Sequence, residues 1–445
     1  MGTKKENQMT GSKFVILGGG MVAGYAAKQL VELGLKAGEL TIISADTSVP
    51  YERPPLSKGF LAGKDNEEAI RINPDTFYRE QGIEIRLKTE VASVDPKRKE
   101  LELRSGEKVG FEKLIIATGA RPRTLTIPGA SLRNIHYLRS LHDSESIRNS
   151  AQGIARAVVV GGGFIGMEVA AVLAQKGIEV TMILNEDRIW KRFFSPEMST
   201  FFESYYSERG VRFLKNVTIK EFVGDGDLNS VKLADGKSIP CQMLVAGIGV
   251  IPVTDVLTNS GIEVGDGVVV NEYLQATQPN IYAAGDVANY QDLIFGKRRR
   301  VEHWDNAVSQ GQYLARTLMG ERAPFRHVPY FFSDVFDLSY EYWGDGTGAD
   351  EVVHRGDMSG KSFSVWWVMQ KRVVAAFTMN RPDEEREAAA KWIEAGRHAS
   401  SAKLKDANRP IESAIEQMHL RDRIWFAKTW QMLASPTGFE PVLPP

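Results

Sequence analysis

Short apolar runs along this chain repeatedly end in glycine, and two of them do so in the same way. Phe14-Val15-Ile16-Leu17 reads as a buried strand and opens onto Gly18-Gly19-Gly20-Met21-Val22-Ala23-Gly24. Val158-Val159-Val160 opens onto Gly161-Gly162-Gly163-Phe164-Ile165-Gly166, 143 residues further on. After the first loop, residues 26–31 read as a helix and Leu40-Thr41-Ile42-Ile43 as a strand ending near Asp46. After the second, residues 168–175 read as a helix and 180–184 as a strand ending near Glu186. Each half is therefore a strand–loop–helix–strand unit with an acid at its end, the context that gives a glycine-rich loop its meaning.

The glycines have separate tasks. The first makes the tight turn, the second admits a pyrophosphate to the backbone, and the third lets helix and strand pack closely. In the second loop Gly161, Gly163 and Gly166 take these places. In the first, Gly18 and Gly20 take two, and either Ala23 or Gly24 takes the third. Asp46 and Glu186 can accept hydrogen bonds from ribose hydroxyls. A carboxylate at Glu186 also repels a 2′-phosphate, which favours NADH, whereas Arg188, Lys191 and Arg192 just beyond it would favour NADPH or form a solvated face.

The same periodicity continues. Leu114-Ile115-Ile116-Ala117-Thr118-Gly119 and Met243-Leu244-Val245-Ala246-Gly247-Ile248-Gly249 are apolar strands stopped by glycine. Asn280-Ile281-Tyr282-Ala283-Ala284-Gly285-Asp286 is a third such run, with Asp286 as a hydroxyl-binding acid or a helix cap. Residues 307–318 have helical spacing. From about Pro324 aromatics crowd in at Tyr330, Phe331, Phe332 and Phe336, and residues 363–369 and 373–377 read as a hairpin, followed by a helix over 384–394. The expected class is α/β, with two Rossmann-like dinucleotide-binding domains and a smaller C-terminal α+β domain. Its boundaries are 13–125 and 256–323 for the first domain, 126–255 for the second, 324–410 for the third and 411–445 for a tail, helical over 411–433 with Trp425, Phe426 and Trp430.

Composition narrows the chemistry. At 445 residues, with 43% hydrophobic and 25% charged residues, the chain has room for two or three globular domains. A net charge of −1 provides no field to draw it onto nucleic acid or membrane. The polar start, with Lys4, Lys5 and Glu6, and the lack of a long apolar run lead to a cytoplasmic expectation. The seven histidines are scattered, so no metal site is expected. Cys241 is the one cysteine, and one thiol cannot form an internal disulfide beside a cofactor; it reads as a small apolar core residue.

Further residues carry a resemblance. Pro50-Tyr51-Glu52-Arg53-Pro54-Pro55-Leu56-Ser57-Lys58-Gly59, with the two loops, is similar to the flavoprotein reductases of the pyridine nucleotide-disulphide oxidoreductase superfamily. Within it, residues 13–410 resemble the ferredoxin-reductase, apoptosis-inducing-factor and monodehydroascorbate-reductase branch. The resemblance implies FAD on the first loop and NADH (or NADPH) on the second. It implies Arg53, Lys58, Val91, Ala117, Thr118, Gly119, Gly285 and Asp286 at FAD, and Phe164, Ile165, Glu168, Arg192, Gly247 and Gly249 on the nicotinamide side. Lys58 and Glu168 would pair near the reacting ring, with no protein nucleophile needed. Glu302 and His303, in Val301-Glu302-His303-Trp304, and Phe332 would close over the cofactors.

Several segments favour the monodehydroascorbate-reductase side, among them Arg299-Arg300-Val301-Glu302-His303 and Pro329-Tyr330-Phe331-Phe332-Ser333. Two positions depart from it. Val308 stands where those enzymes carry an arginine that contacts ascorbate, and Phe332 where they carry a tyrosine. The implied acceptor is a small-molecule radical or a [2Fe–2S] ferredoxin, with Lys297-Arg298-Arg299-Arg300 as a docking run or a solvated face. A redox-responsive interaction protein is the third alternative, and a monomer or homodimer is expected.

Overall fold

The computed structural model describes residues 11–191 and 193–416. They form two compact units. The first comprises residues 11–291 together with Arg298–Phe325 and Phe331–Ser339, and the second comprises Asp292–Lys297, Arg326–Tyr330 and residues 340–416.

Two sheets with parallel centres organise the first unit, and their central strands carry the glycine loops. Gly11–Leu17 lies between Leu40–Ile43 and Lys108–Ile116, with parallel pairing on both sides. Arg156–Val160 lies between Glu179–Ile183 and Met243–Ala246 in the same way. The chain order thus reverses on either side of each central strand, which opens a crevice at its C-terminal end. The strands are continuous apolar runs because both faces are covered. Val15, Ile16, Ile42, Leu114, Val158, Val159 and Leu244 are all fully buried.

The loop helices start earlier than their apolar spacing predicts, at Met21–Glu32 and Phe164–Gln175, because the helical backbone begins directly after Gly20 and Gly163. The helix expected over 307–318 spans Trp304–Leu318. Several antiparallel elements have no counterpart in the sequence reading, among them a meander of Ile219–Asp225, Asp227–Leu233 and Ser238–Pro240, and a two-stranded pair of Ala120–Pro122 with Val250–Pro252.

In the second unit, Ser362–Met369 and Arg372–Met379 form the expected hairpin, flanked by Glu351–Asp357. Its two-residue turn, Gln370–Lys371, has positive φ at both positions, 49° and 67°, the left-handed pair that such a turn requires. The helix Asp383–Glu394 packs Trp392 against Trp366, with ring centroids 5.4 Å apart. Buried Arg355 binds Glu385 at 2.7 Å and donates to the carbonyls of Leu404 and Arg409, so an ion pair fastens the end of the unit. The tail does not begin as an α-helix at 411. Ile411–Ala414 is a 3-10 turn after Pro410, with Ile411 and Ala414 buried, and Ile415 bridges Ala399. Trp425, Phe426 and Trp430 lie outside the described residues.

Small residues let two helices of the first unit touch. A Cβ on Gly311, in Trp304–Leu318, would lie 2.8 Å from the Val22 carbonyl oxygen in Met21–Glu32. Gly311→Ala is expected to lower stability by about 1–3 kcal/mol, read as a lower thermal unfolding midpoint of the full chain. An unchanged midpoint would show that the two helices separate freely.

Candidate active site

The two loops are built alike to the level of single atoms. Gly18 N–H bonds the Ile43 carbonyl at 2.8 Å, and Gly161 N–H bonds the Ile183 carbonyl at 3.0 Å. Both glycines have positive φ, 122° and 102°. A Cβ on Gly18 would lie 2.2 Å from the Ala117 oxygen, and one on Gly161 2.3 Å from the Gly247 oxygen. Each helix begins three positions after its first glycine, with Gly20 and Gly163 as N-caps. By that register Ala23 matches Gly166, so Ala23 takes the third place of the first loop. Gly24 instead packs against Ile72 and Pro50, where a Cβ would come within 2.7 and 2.9 Å of their side chains.

Both helix starts are open to an anion. Neither has a side-chain cap or an acid in its first turn. The helix Leu141–Ser150, by contrast, is closed by a capping box from Ser140 and Asp143. Uncapped N–H groups with the positive end of the macrodipole form a phosphate site. Beside the first loop lies a cavity of about 590 Å³. Gly18, Gly20, Asp46, Arg53, Lys58, Val91, Ala117, Thr118, Gly119, Phe164, Ile165, Glu168, Gly285, Asp286, Glu302, His303 and Phe332 all line it.

The cavity's charges are arranged in two groups. In the first, Arg53 donates to the Arg139 carbonyl, and Arg139 pairs with Asp286 at 2.7 Å. The Arg53 guanidinium also lies 4.8 Å from the centre of the Tyr51 ring, and the Tyr51 hydroxyl donates to Asp46 at 2.9 Å. Burial pushes the Arg53 guanidinium below its ordinary range, and the nearby Arg139 charge adds to this. Two neighbouring cations beside an uncapped helix suit a pyrophosphate. Asp286 caps no helix: the short turn Gly285–Val287 has no side-chain cap, and the carboxylate goes to Arg139.

The second group centres on Glu168. It sits in the second turn of its helix and is buried, so the macrodipole does not account for it. Lys58 Nζ lies 3.1 Å away, and the hydroxyls of Ser57 and Ser333 each donate at 2.5 Å. Three donors from two distant segments thus satisfy one carboxylate. Lys58 Nζ also lies 5.1 Å from the centre of the Phe332 ring.

Other expected residues stand apart from this cavity. Gly161, Gly163, Gly166, Gly247, Ala23 and Gly24 shape the backbone around the two helix starts, and Gly249 accepts from Arg123 N–H at 2.9 Å. Glu186 is half-buried in the turn after its strand, where its carbonyl accepts from Asn216. Arg188 and Lys191 both lean on Asp187, at 3.8 and 3.0 Å, and Arg192 lies outside the described residues.

Val308 does not line the cavity. It is a short apolar side chain packed into the core, so its difference from arginine is not felt as a lining residue. The basic run is engaged in structural contacts. Arg298 donates to the carbonyls of Val270 and Asn289, Arg300 pairs with Asp266 and Glu302, and Lys297 pairs with Asp345. The sequence reading missed Ser57, Arg139 and Ser333 as site residues. Ser57 and Ser333 lay inside segments that carried the resemblance, whereas nothing local marks Arg139. Among the described residues no cluster of three His, Cys, Asp or Glu can hold a metal, and no helix is long and apolar enough to cross a membrane.

Residues 12–311 match the pyridine nucleotide-disulphide oxidoreductase family, and residues 330–415 match a reductase C-terminal domain. A peroxisomal monodehydroascorbate reductase 4 of Arabidopsis thaliana is 38% identical over 85% of this chain and 81% of its own length. The seedling isozyme from Cucumis sativus is 35% identical over 85% and 93%. Among solved structures, a ferredoxin reductase from Rhodopseudomonas palustris superposes with a TM-score of 0.86 at 30% identity, covering 91% of this chain and all of that one. The covalent putidaredoxin reductase–putidaredoxin complex also gives 0.86 at 30% identity, covering 90% of this chain and 97% of that one.

Cys241 is buried, and burial pushes its thiol up to about 12. Iodoacetamide at neutral pH is expected to leave it unlabelled in the native protein and to label it once the chain is unfolded in urea. Rapid native labelling would place the thiol in contact with solvent.

Proposed function

The chain belongs to the pyridine nucleotide-disulphide oxidoreductase family, a flavin- and nicotinamide-dependent oxidoreductase, and from that premise we propose an FAD-dependent NADH reductase, most like the monodehydroascorbate reductases. The observation that carries the reading is the Lys58–Glu168 pair in the cavity wall, with Lys58 on the segment beside the first loop and Glu168 on the helix of the second. The lining residues would hold FAD there, and the chemistry it would supply is acceptance of a hydride from NADH and release of electrons singly to an acceptor.

The residues supply position and charge. The first loop, Arg53 and Arg139 would hold a pyrophosphate, with Asp286 steadying Arg139. The second loop holds the nicotinamide dinucleotide, and Glu186 turns away a 2′-phosphate, which favours NADH over NADPH. Lys58, kept in place by Glu168, offsets negative charge gained on reduction. Ser57 and Ser333 keep Glu168 from turning into the cavity. A radical acceptor such as monodehydroascorbate then takes one electron and one proton per molecule. Support for this acceptor comes from the plant relatives.

A ferredoxin acceptor is the second reading. It is favoured by the apolar ring of Phe332 at the cavity and by the likeness to the putidaredoxin reductase.

The test is an anaerobic titration of the yellow protein with NADH and, separately, NADPH, followed by assays with monodehydroascorbate and with a [2Fe–2S] ferredoxin. NADH is expected to bleach the flavin at lower concentration than NADPH, and monodehydroascorbate to restore the colour faster. Protein that NADH leaves yellow would sink the reductase reading. Lys58→Met is expected to slow bleaching by ~10²-fold in stopped flow while the flavin stays bound.

A further inference from the structure

The aromatic residues at the cavity form two walls, and strand geometry separates them. Consecutive side chains on a strand point to opposite sides. On Tyr330–Val335, Phe331 meets Phe164 at 4.3 Å and His303 at 5.1 Å between ring centroids. Phe332, the next residue, meets Trp304 at 6.0 Å and Lys58 at 5.1 Å. His303 and Trp304 are themselves adjacent, the N-cap and first residue of Trp304–Leu318. One wall is therefore His303–Phe331–Phe164 and the other Trp304–Phe332.

The first wall joins the helix of the second glycine loop through Phe164. The second is tied to the first loop's side by one carboxylate. Trp304 Nε1 donates to one oxygen of Glu52 at 2.5 Å, and the Tyr25 hydroxyl donates to the other at 2.5 Å. The rings of Tyr25 and Trp304 meet edge-on, 6.4 Å apart at 88°. Burial and the Glu52 hydrogen bond hold the Tyr25 phenol well above its ordinary range, so it stays a donor throughout the working pH. An indole N–H can only donate, and a carboxylate is the acceptor able to serve both rings at once. Trp304 lines the cavity, whereas Glu52 and Tyr25 do not.

We propose that Glu52 is a positioning residue, which fixes the indole of Trp304 against Phe332 and thereby sets the wall that the electron acceptor meets. The inference rests on the reductase reading and extends it to a residue outside the cavity lining: Glu52 acts through Trp304, which meets Phe332. Neither Glu52 nor Tyr25 exchanges an electron or proton with substrate. Their effect passes through the orientation of Trp304.

The test compares Glu52→Gln, Glu52→Ala, Trp304→Phe and the double variant Glu52→Ala/Trp304→Phe as flavin-loaded full chains. Two steps are measured apart: anaerobic bleaching by NADH, and reoxidation by enzymatically generated monodehydroascorbate and by ferricyanide. Gln retains an oxygen for the indole N–H and an amide group for Tyr25, so it is expected to stay within about twofold of the parent in both steps. Ala is expected to slow reoxidation by about tenfold and bleaching by much less. Trp304→Phe loses the same tether and is expected to share the defect, and the double variant is expected to be no worse than either single one.

Equal slowing of both steps in Glu52→Ala, unchanged reoxidation, or additive losses in the double variant would each overturn the proposal. Should Glu52→Ala lose its flavin, the contrast between Gln and Trp304→Phe decides alone: equal reoxidation rates in those two would overturn it. Failure of the parent protein to bleach with NADH would instead remove the reductase reading beneath it.

Discussion

Two backbone contacts with no room for a side chain set the rest of this structure in place. At Gly18 and again at Gly161 the chain leaves a central strand so close to the neighbouring strand's end that a single added carbon would lie 2.2 or 2.3 Å from a carbonyl oxygen. This closeness aims each following helix back at the strand ends, and the left-handed turn it needs is open to glycine at little cost. The phosphate sites, the cavity and the placement of Glu168 all follow from where those helices start. The same constraint met twice explains why two loops of different sequence share their turn and their helix start.

Between the lobes, charge completes what the backbone begins. Lys58 and Glu168 are mostly withdrawn from water, and a withdrawn ion pair holds firm when its remaining hydrogen-bonding positions are filled. Ser57 and Ser333 fill them. Arg139 does comparable work at the other end of the cavity, anchoring Asp286 while its carbonyl receives Arg53. The site is thus a pair of charged anchors joined by aromatic walls, with a thiol, Cys241, left in the core and out of the chemistry.

What was legible in the sequence was local. The loops, the strands around Ile115 and Val245 and the hairpin at 370–371 announce themselves within a dozen residues, through unbroken apolar runs and glycine. The meander from Ile219 to Pro240 escaped notice because its strands are half exposed and broken by Asp and Gly, so no apolar run marks them. Asp286 stands out locally at the end of an apolar run, but its partner Arg139 comes from 147 positions away and carries no local signal. Val308 was named through the resemblance, as the place of an arginine in related enzymes, and here its short apolar side chain lies in the core. In the run 297–300, Lys297, Arg298 and Arg300 have acidic or carbonyl neighbours that adjacency in sequence does not reveal.

The donors around Glu168 also impose an order on how the protein is made. Lys58 and Ser57 leave the ribosome before the carboxylate does, but Ser333 follows 165 residues after it. A nascent chain can fold both glycine loops and still hold a buried acid one hydroxyl short of its native shell. The segment that completes the shell also brings Phe331 and Phe332, so electrostatic completion and aromatic closure arrive in the same stretch of translation. The shell of Glu168 is complete only when the strand Tyr330–Val335 brings Ser333 to it.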